Sequence, residues 1–130
     1  MNSLTDTQGS FVDEQLLNNL GNLSPMDADK YQYGITKVDD EGNIELYNQY
    51  NRDEFIKLDS SPIGRNYFTE IAPCANNFMF FGRFKRGVEN NDLDWEFDYV
   101  FTYKMMPTKV RVRLYRDEES NTNWIFVIKK

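Results

Sequence analysis

The sequence contains no histidine. That absence excludes Cys-His and Ser-His-Asp nucleophile arrangements, histidine-based zinc sites and the usual haem ligand. There is one cysteine, Cys74, so no internal disulfide can form, which fits a reducing compartment. Positive charge is scarce: 15 lysines and arginines stand against 21 aspartates and glutamates, a formal charge of -6. Such a balance repels nucleic acid and anionic lipid unless a local basic patch overrides it. No apolar run approaches the length of a membrane span, and the N-terminus lacks the basic region and apolar run of a signal peptide. The expectation is a cytoplasmic protein that binds neither nucleic acid nor membrane. At 130 residues it is expected to be one domain, large enough to bury a core without staples.

Aromatic residues, by contrast, are plentiful at 15% of the chain. Either the core is rich in rings or it surrounds something planar. The stretch of most chemical interest is Ile71-Ala72-Pro73-Cys74-Ala75. Pro73 cannot continue a hydrogen-bond ladder and pushes Ala72 towards extended geometry, so the chain is stiffened just ahead of the thiol. Asn76 or Asn77 could cap a helix beginning near Phe78, which would place Cys74 in a loop near a helix N-terminus. The plainer alternative is a small apolar residue filling a corner of the core.

Along the chain, Met1 to Ala28 is polar, with Val12, Leu16 and Leu20 at helical spacing and Gly9, Gly21 and Pro25 as breaks. Residues 1–28 read as a cap on a core of residues 29–130. Tyr31 to Val38 predicts a strand, Asp39 to Asn43 a turn with Gly42 where positive φ is needed, and Ile44 to Asn48 the returning strand. Phe78, Phe81, Phe84 and Val88 predict a helix of about three turns ending near Glu89. Trp95, Phe97, Tyr99, Phe101 and Tyr103 alternate without a fault, one face of a strand. A turn at Met105-Met106-Pro107 would return the chain through Val110, Val112 and Leu114. Pairing Phe101 with Val110 would set Tyr99 against Val112, Phe97 against Leu114 and Asp98 against Arg113. The basic run Lys109, Arg111, Arg113 and Arg116 then becomes a set of cross-strand charge partners. The last strand, Trp124 to Ile128, is apolar on both faces and needs a cover, for which the N-terminal segment is available. The order predicts an α+β fold: a five-stranded antiparallel sheet with helices segregated to one side. The aromatic strand, the helical connection and Cys74 would then share one interior, a ligand-pocket geometry.

These residues resemble a PAS domain and, in detail, the photoactive yellow protein family. The resemblance is carried by Asp40-Glu41-Gly42-Asn43-Ile44, Leu46-Tyr47-Asn48, Ile63-Gly64-Arg65-Asn66-Tyr67-Phe68, Ile71-Ala72-Pro73-Cys74, Phe81 to Val88, Met105-Met106-Pro107-Thr108-Lys109-Val110 and Trp124 to Val127. It implies a non-enzymatic blue-light receptor carrying 4-hydroxycinnamic acid (p-coumaric acid) as a thioester on Cys74. It implies a phenolate hydrogen-bonded by Tyr47, a pocket lined by Tyr67, Ile71, Ala72, Phe101 and Tyr103, and a thermal-return role for Met105. Each residue has a plainer reading: Tyr47 as a core tyrosine, Asn51 as a turn or cap residue, Met105 as hairpin packing. Three positions depart from the family pattern. Asn51 stands at the family's glutamic acid, and Phe55 and Lys57 stand at its threonine and arginine. Asn51 can donate a hydrogen bond but has no proton to surrender, so an altered absorption and photocycle are expected. A light-insensitive PAS module with a retained pocket is the alternative. Output is expected through non-covalent contact with a downstream signalling protein, from a monomer or weak dimer.

Overall fold

The computed structural model describes residues 10–55, 58, 60–103 and 106–130. Its order is α1 (Glu14–Leu17), a 3-10 turn (Leu20–Asn22), α2 (Pro25–Ala28), β1 (Gly34–Val38), β2 (Ile44–Tyr47) and α3 (Gln49–Glu54). A π turn (Tyr67–Ile71), a 3-10 turn (Pro73–Ala75), α4 (Phe81–Glu89), β3 (Asp94–Tyr103), β4 (Met106–Asp117) and β5 (Thr122–Lys129) follow. The strands form one antiparallel sheet in the order β2-β1-β5-β4-β3. This is the α+β PAS fold, with its five-stranded antiparallel sheet and N-terminal helical segments.

Local chemistry explains the first hairpin. Gly42 has φ +94, a conformation that costs a side-chain-bearing residue steric strain, and Asp39 Oδ1 accepts from the backbone N–H groups of Glu41 and Asn43. The strand predicted from Tyr31 begins instead at Gly34, because Tyr31 to Tyr33 belong to a bend that packs on the cap. Ile44 to Tyr47 is the returning strand, and Asn48 leaves it to cap α3, accepting from Asn51 N–H at 3.4 Å.

The sheet separates two apolar layers by side-chain alternation. Ile125 and Val127 face the layer that contains Tyr47, Tyr67, Phe68, Ile71, Phe80 and Phe101. Trp124 and Phe126 face the other, where Val12, Leu16, Leu17, Leu20 and Ala28 cover them. Within that cover, Pro25 opens α2 at the position where its missing N–H costs nothing, with Ser24 as the cap.

The β3–β4 hairpin has a different register from the expected one. Phe101 pairs with Thr108, Tyr99 with Val110, Phe97 with Val112 and Asp98 with Arg111. Met106 and Pro107 belong to β4 rather than to a turn, since the ladder runs on to Tyr103 opposite Met106. The slip of two residues leaves every side chain on its expected face, so the hydrophobic pattern could not detect it. The charges still find partners: Arg111 meets Glu96 at 2.7 Å and Asp98 at 2.8 Å, and Arg113 meets Asp94 at 3.0 Å.

The long helix is shorter than its pattern suggested. It begins at Phe81, because Asn77 Oδ1 accepts from Phe80 N–H and closes a turn over Phe78 to Phe80 that is not α-helical. Cys74 therefore sits in a 3-10 turn of its own, not beside the first turn of that helix. Among the described residues no helix is long and apolar enough to cross a membrane.

Candidate functional site

Three pieces of chain converge on the pocket-side layer. The first is the Cys74 turn, with Ala72 and Ala75 buried and the thiol residue half-buried against the aromatic cluster. Its position is fixed from β3: the Tyr99 hydroxyl donates to the Cys74 carbonyl at 2.6 Å, and Asn77 Nδ2 donates to the same carbonyl at 3.1 Å. Asn77 Nδ2 also bonds the Tyr99 hydroxyl, closing a small network behind the cysteine. The sequence pattern places Tyr99 only in the aromatic stripe. The signal for its second role was its place on the face that the cysteine loop must cross.

The second piece is the π turn. Asn66 caps it, its Oδ1 accepting from Phe68 and Thr69 N–H and its Nδ2 donating to Glu41 O. Tyr67 N–H bonds Gly42 O at 2.8 Å, so the hairpin turn and the π turn position each other. Tyr67, Phe68 and Ile71 are thereby buried in the cluster that Cys74 touches.

The third is the junction of β1, β2 and α3. Tyr47 is buried in the same cluster, and burial pushes its hydroxyl up to about 12 while the nearby Arg52 charge pulls slightly the other way. Among the described residues its hydroxyl has no hydrogen-bond partner. Asn48, fully enclosed, accepts from Ile35 N–H at 2.9 Å and donates to Ala28 O and Tyr33 O, each at 2.9 Å. One amide thus ties the cap, β1 and the start of α3 together. Its signal in the sequence was a capping residue placed directly after a strand.

Asn51 is buried, as a site residue should be, but both of its N–H groups are taken by β1: Ile35 O at 3.1 Å and Thr36 Oγ1 at 3.0 Å. The amide expected to donate into the pocket is spent on the strand beside it. Phe55 packs edge-on to Phe101, centroids 5.7 Å apart, and gives the same end of the cluster an apolar wall. Phe101 is buried and pairs with Phe80 and Tyr99 as well. The structure therefore brings Cys74, Tyr47, Tyr67, Ile71, Ala72, Phe55 and Phe101 into one layer. Lys57 and Met105 lie outside the described residues, as does the side chain of Tyr103 at the end of β3.

The arrangement suits a planar, mostly apolar guest with one polar end. A half-buried thiol residue stands at one place on the wall and a buried tyrosine, its hydroxyl without a partner among the described residues, at another, with rings between. No protein-family model matches the chain. The chain is 37% identical over 117 residues to photoactive yellow protein from Halochromatium salexigens, spanning 90% of this chain and 94% of that one. It is 36% identical over 117 residues to photoactive yellow protein from Rhodothalassium salexigens, with the same coverage. In solved structures it resembles the photoactive yellow protein domain of the sensor histidine kinase Ppr from Rhodospirillum centenum. The TM-score is 0.80 at 35% identity, over 87% of this chain and 99% of that domain. On this identity, carried over nine-tenths of its length and matched by the fold, the chain belongs to the photoactive yellow protein family of PAS domains.

Proposed function

We propose that this chain is a blue-light photoreceptor that holds a 4-hydroxycinnamoyl group as a thioester on Cys74 and signals by a change of shape, without turnover. The observation that carries this reading is Tyr47, a buried residue whose hydroxyl has no partner among the described residues, in the same ring-walled layer as Cys74. That hydroxyl is free to donate to a guest in the layer, and a phenolate oxygen is the strongest acceptor such a guest could offer it. When bound, the group supplies visible absorbance and a double bond that light can isomerise. Cys74 would anchor it, with Tyr99 and Asn77 holding the anchor's backbone in place. Tyr67, Ile71, Phe80 and Phe101 would exclude water from it, and Tyr47 would donate to its far end.

Family membership supports the cofactor, and the single cysteine fixes where it would attach. No carboxylic acid stands at Asn51 to hand over a proton, so any proton reaching the phenolic end must come from solvent or from a hydroxyl of the pocket wall. The proposed setting is the cytoplasm, with output by non-covalent contact to a downstream protein.

Purified protein treated with an activated ester of 4-hydroxycinnamic acid should turn yellow, gain the mass of one acyl group and bleach reversibly under blue light. Cys74→Ala should take up neither mass nor colour. A wild-type product of unchanged mass would sink the reading. A second reading, a light-insensitive PAS module with a retained pocket, is favoured by the Asn51 amide turned away to β1 and by Phe55. Loading without any photobleaching would support it.

A further inference from the structure

The departure at Asn51 raises the question of what else donates at the Tyr47 end. Thr36 lies directly across from Tyr47 in the β1–β2 ladder and across from Ile125 in the β1–β5 ladder. Both partners belong to the pocket-side layer, so cross-strand pairing puts the Thr36 side chain on that face. Ile35 and Lys37 on either side confirm the alternation: Ile35 packs in the cap layer, and Lys37 lies over the Trp124 ring of that same layer. Thr36 is 1% exposed.

Its hydroxyl is half satisfied. It accepts from Asn51 Nδ2 at 3.0 Å, and its own proton has no acceptor among the described residues. The orientation of the Asn51 amide is unambiguous on chemical grounds. Its other N–H lies 3.1 Å from Ile35 O, a pure acceptor that only the NH2 side can face. An ionised carboxylate at this position would be repelled by that carbonyl, whereas an amide binds it. Asparagine therefore turns to β1 and, in doing so, fixes Thr36 with its O–H free to point elsewhere.

We propose that the Thr36 hydroxyl, held in place by Asn51, is a hydrogen-bond donor to the phenolic oxygen of the hydroxycinnamoyl group, beside Tyr47. This inference rests on the functional reading above. It assigns to a strand residue the second donor's place and makes Asn51 a positioning residue that acts through Thr36. Donation by both hydroxyls would favour the ionised phenol in a pocket where burial alone disfavours it.

The test uses the loaded full chain, with loading confirmed by intact mass, and the pH titration of the bound phenol followed by its absorption. Thr36→Val, nearly isosteric, should raise the phenol pKa by about one to two units. Thr36→Ser should restore it to within a few tenths, which a merely structural role for Thr36 would not require. Asn51→Leu should shift it less than Thr36→Val does. In the chromophore-free protein, Thr36→Val should move one of the two Asn51 side-chain N–H resonances by nuclear magnetic resonance, and Thr36→Ser should leave both near their original positions. An unmoved phenol in loaded Thr36→Val, or a larger shift in Asn51→Leu, would overturn the inference and leave the photoreceptor reading standing. Wild-type protein that takes up no chromophore overturns both.

Discussion

Tyr47 shows how one buried side chain links stability to pH. Burial raises its hydroxyl from 10.0 to about 12 in the folded chain, and burial does the same to Tyr33 on the other side of the sheet. Between those two values the unfolded chain has released the proton and the folded chain still holds it. The folded state then binds more protons, so stability falls as pH rises. Its contribution is complete below pH 10 and lost as pH passes about 12. With two such tyrosines the slope approaches about 3 kcal/mol per pH unit, from about 1.4 for each. Urea unfolding of chromophore-free protein from pH 9 to about 12 should show that decline, and Tyr47→Phe should remove about half of it. An unchanged slope in Tyr47→Phe would mean that its hydroxyl is solvated in the folded chain.

At the scale of elements, the close approach of α3 to β1 depends on Gly34. A Cβ there would collide with Asn51 Oδ1, lie 2.9 Å from Asn51 Cγ and stand 3.2 Å from Val127 O. The small residue lets the Asn51 amide reach Ile35 O and Thr36 Oγ1, so the pocket's polar corner is set by what β1 lacks. Gly34→Ala should cost about 2–4 kcal/mol in urea unfolding, by overpacking and by loss of the buried amide bonds. In an Asn51→Ala background the same change should cost markedly less, because its main obstacle is gone. Strict additivity of the two substitutions would contradict this account. The β3–β4 hairpin makes the opposite point. Its ion pairs survive a two-residue change of register because acids recur at every second residue of β3 (Asp94, Glu96, Asp98) and bases at every second residue of β4 (Lys109, Arg111, Arg113). Each of these pairs can re-form two residues along, so they decorate the register and do not choose it.

For the whole molecule, the sheet is the wall between pocket and cap. Trp124 and Phe126 lie under Leu16, Leu17 and Leu20, while their neighbours Ile125 and Val127 face the cysteine side. A strain in the pocket therefore has a one-strand path to the cap, and the cap consists of short helical pieces held mainly by their apolar faces. If the loaded protein signals by loosening this cover, limited proteolysis should cut before Asp27 faster under blue light than in the dark. Leu16→Ala, expected to cost about 2–4 kcal/mol, should give the same fragments in the dark. Equal cleavage in light and dark would exclude release of the cap.

The sequence by itself determined much of this architecture. Period-two alternation from Trp95 to Tyr103, the Gly42 turn and the two-faced apolar strand at Trp124 are local patterns, and local sterics turn them into strands and turns without reference to anything distant. The pieces of the site were legible on the same terms, since the Ala-Pro-Cys turn and Tyr47 sit at positions that short motifs identify. What only the tertiary structure decided was register and direction. A two-residue slip changes no face, so no pattern of apolar residues can register it. Nor can Asn51 reveal in sequence that its amide serves β1, because that depends on a glycine and a carbonyl brought beside it by the folding of a strand more than a dozen residues away. Hydrogen-bond partners of buried polar groups are chosen by proximity in space, and proximity is a property of the assembled chain.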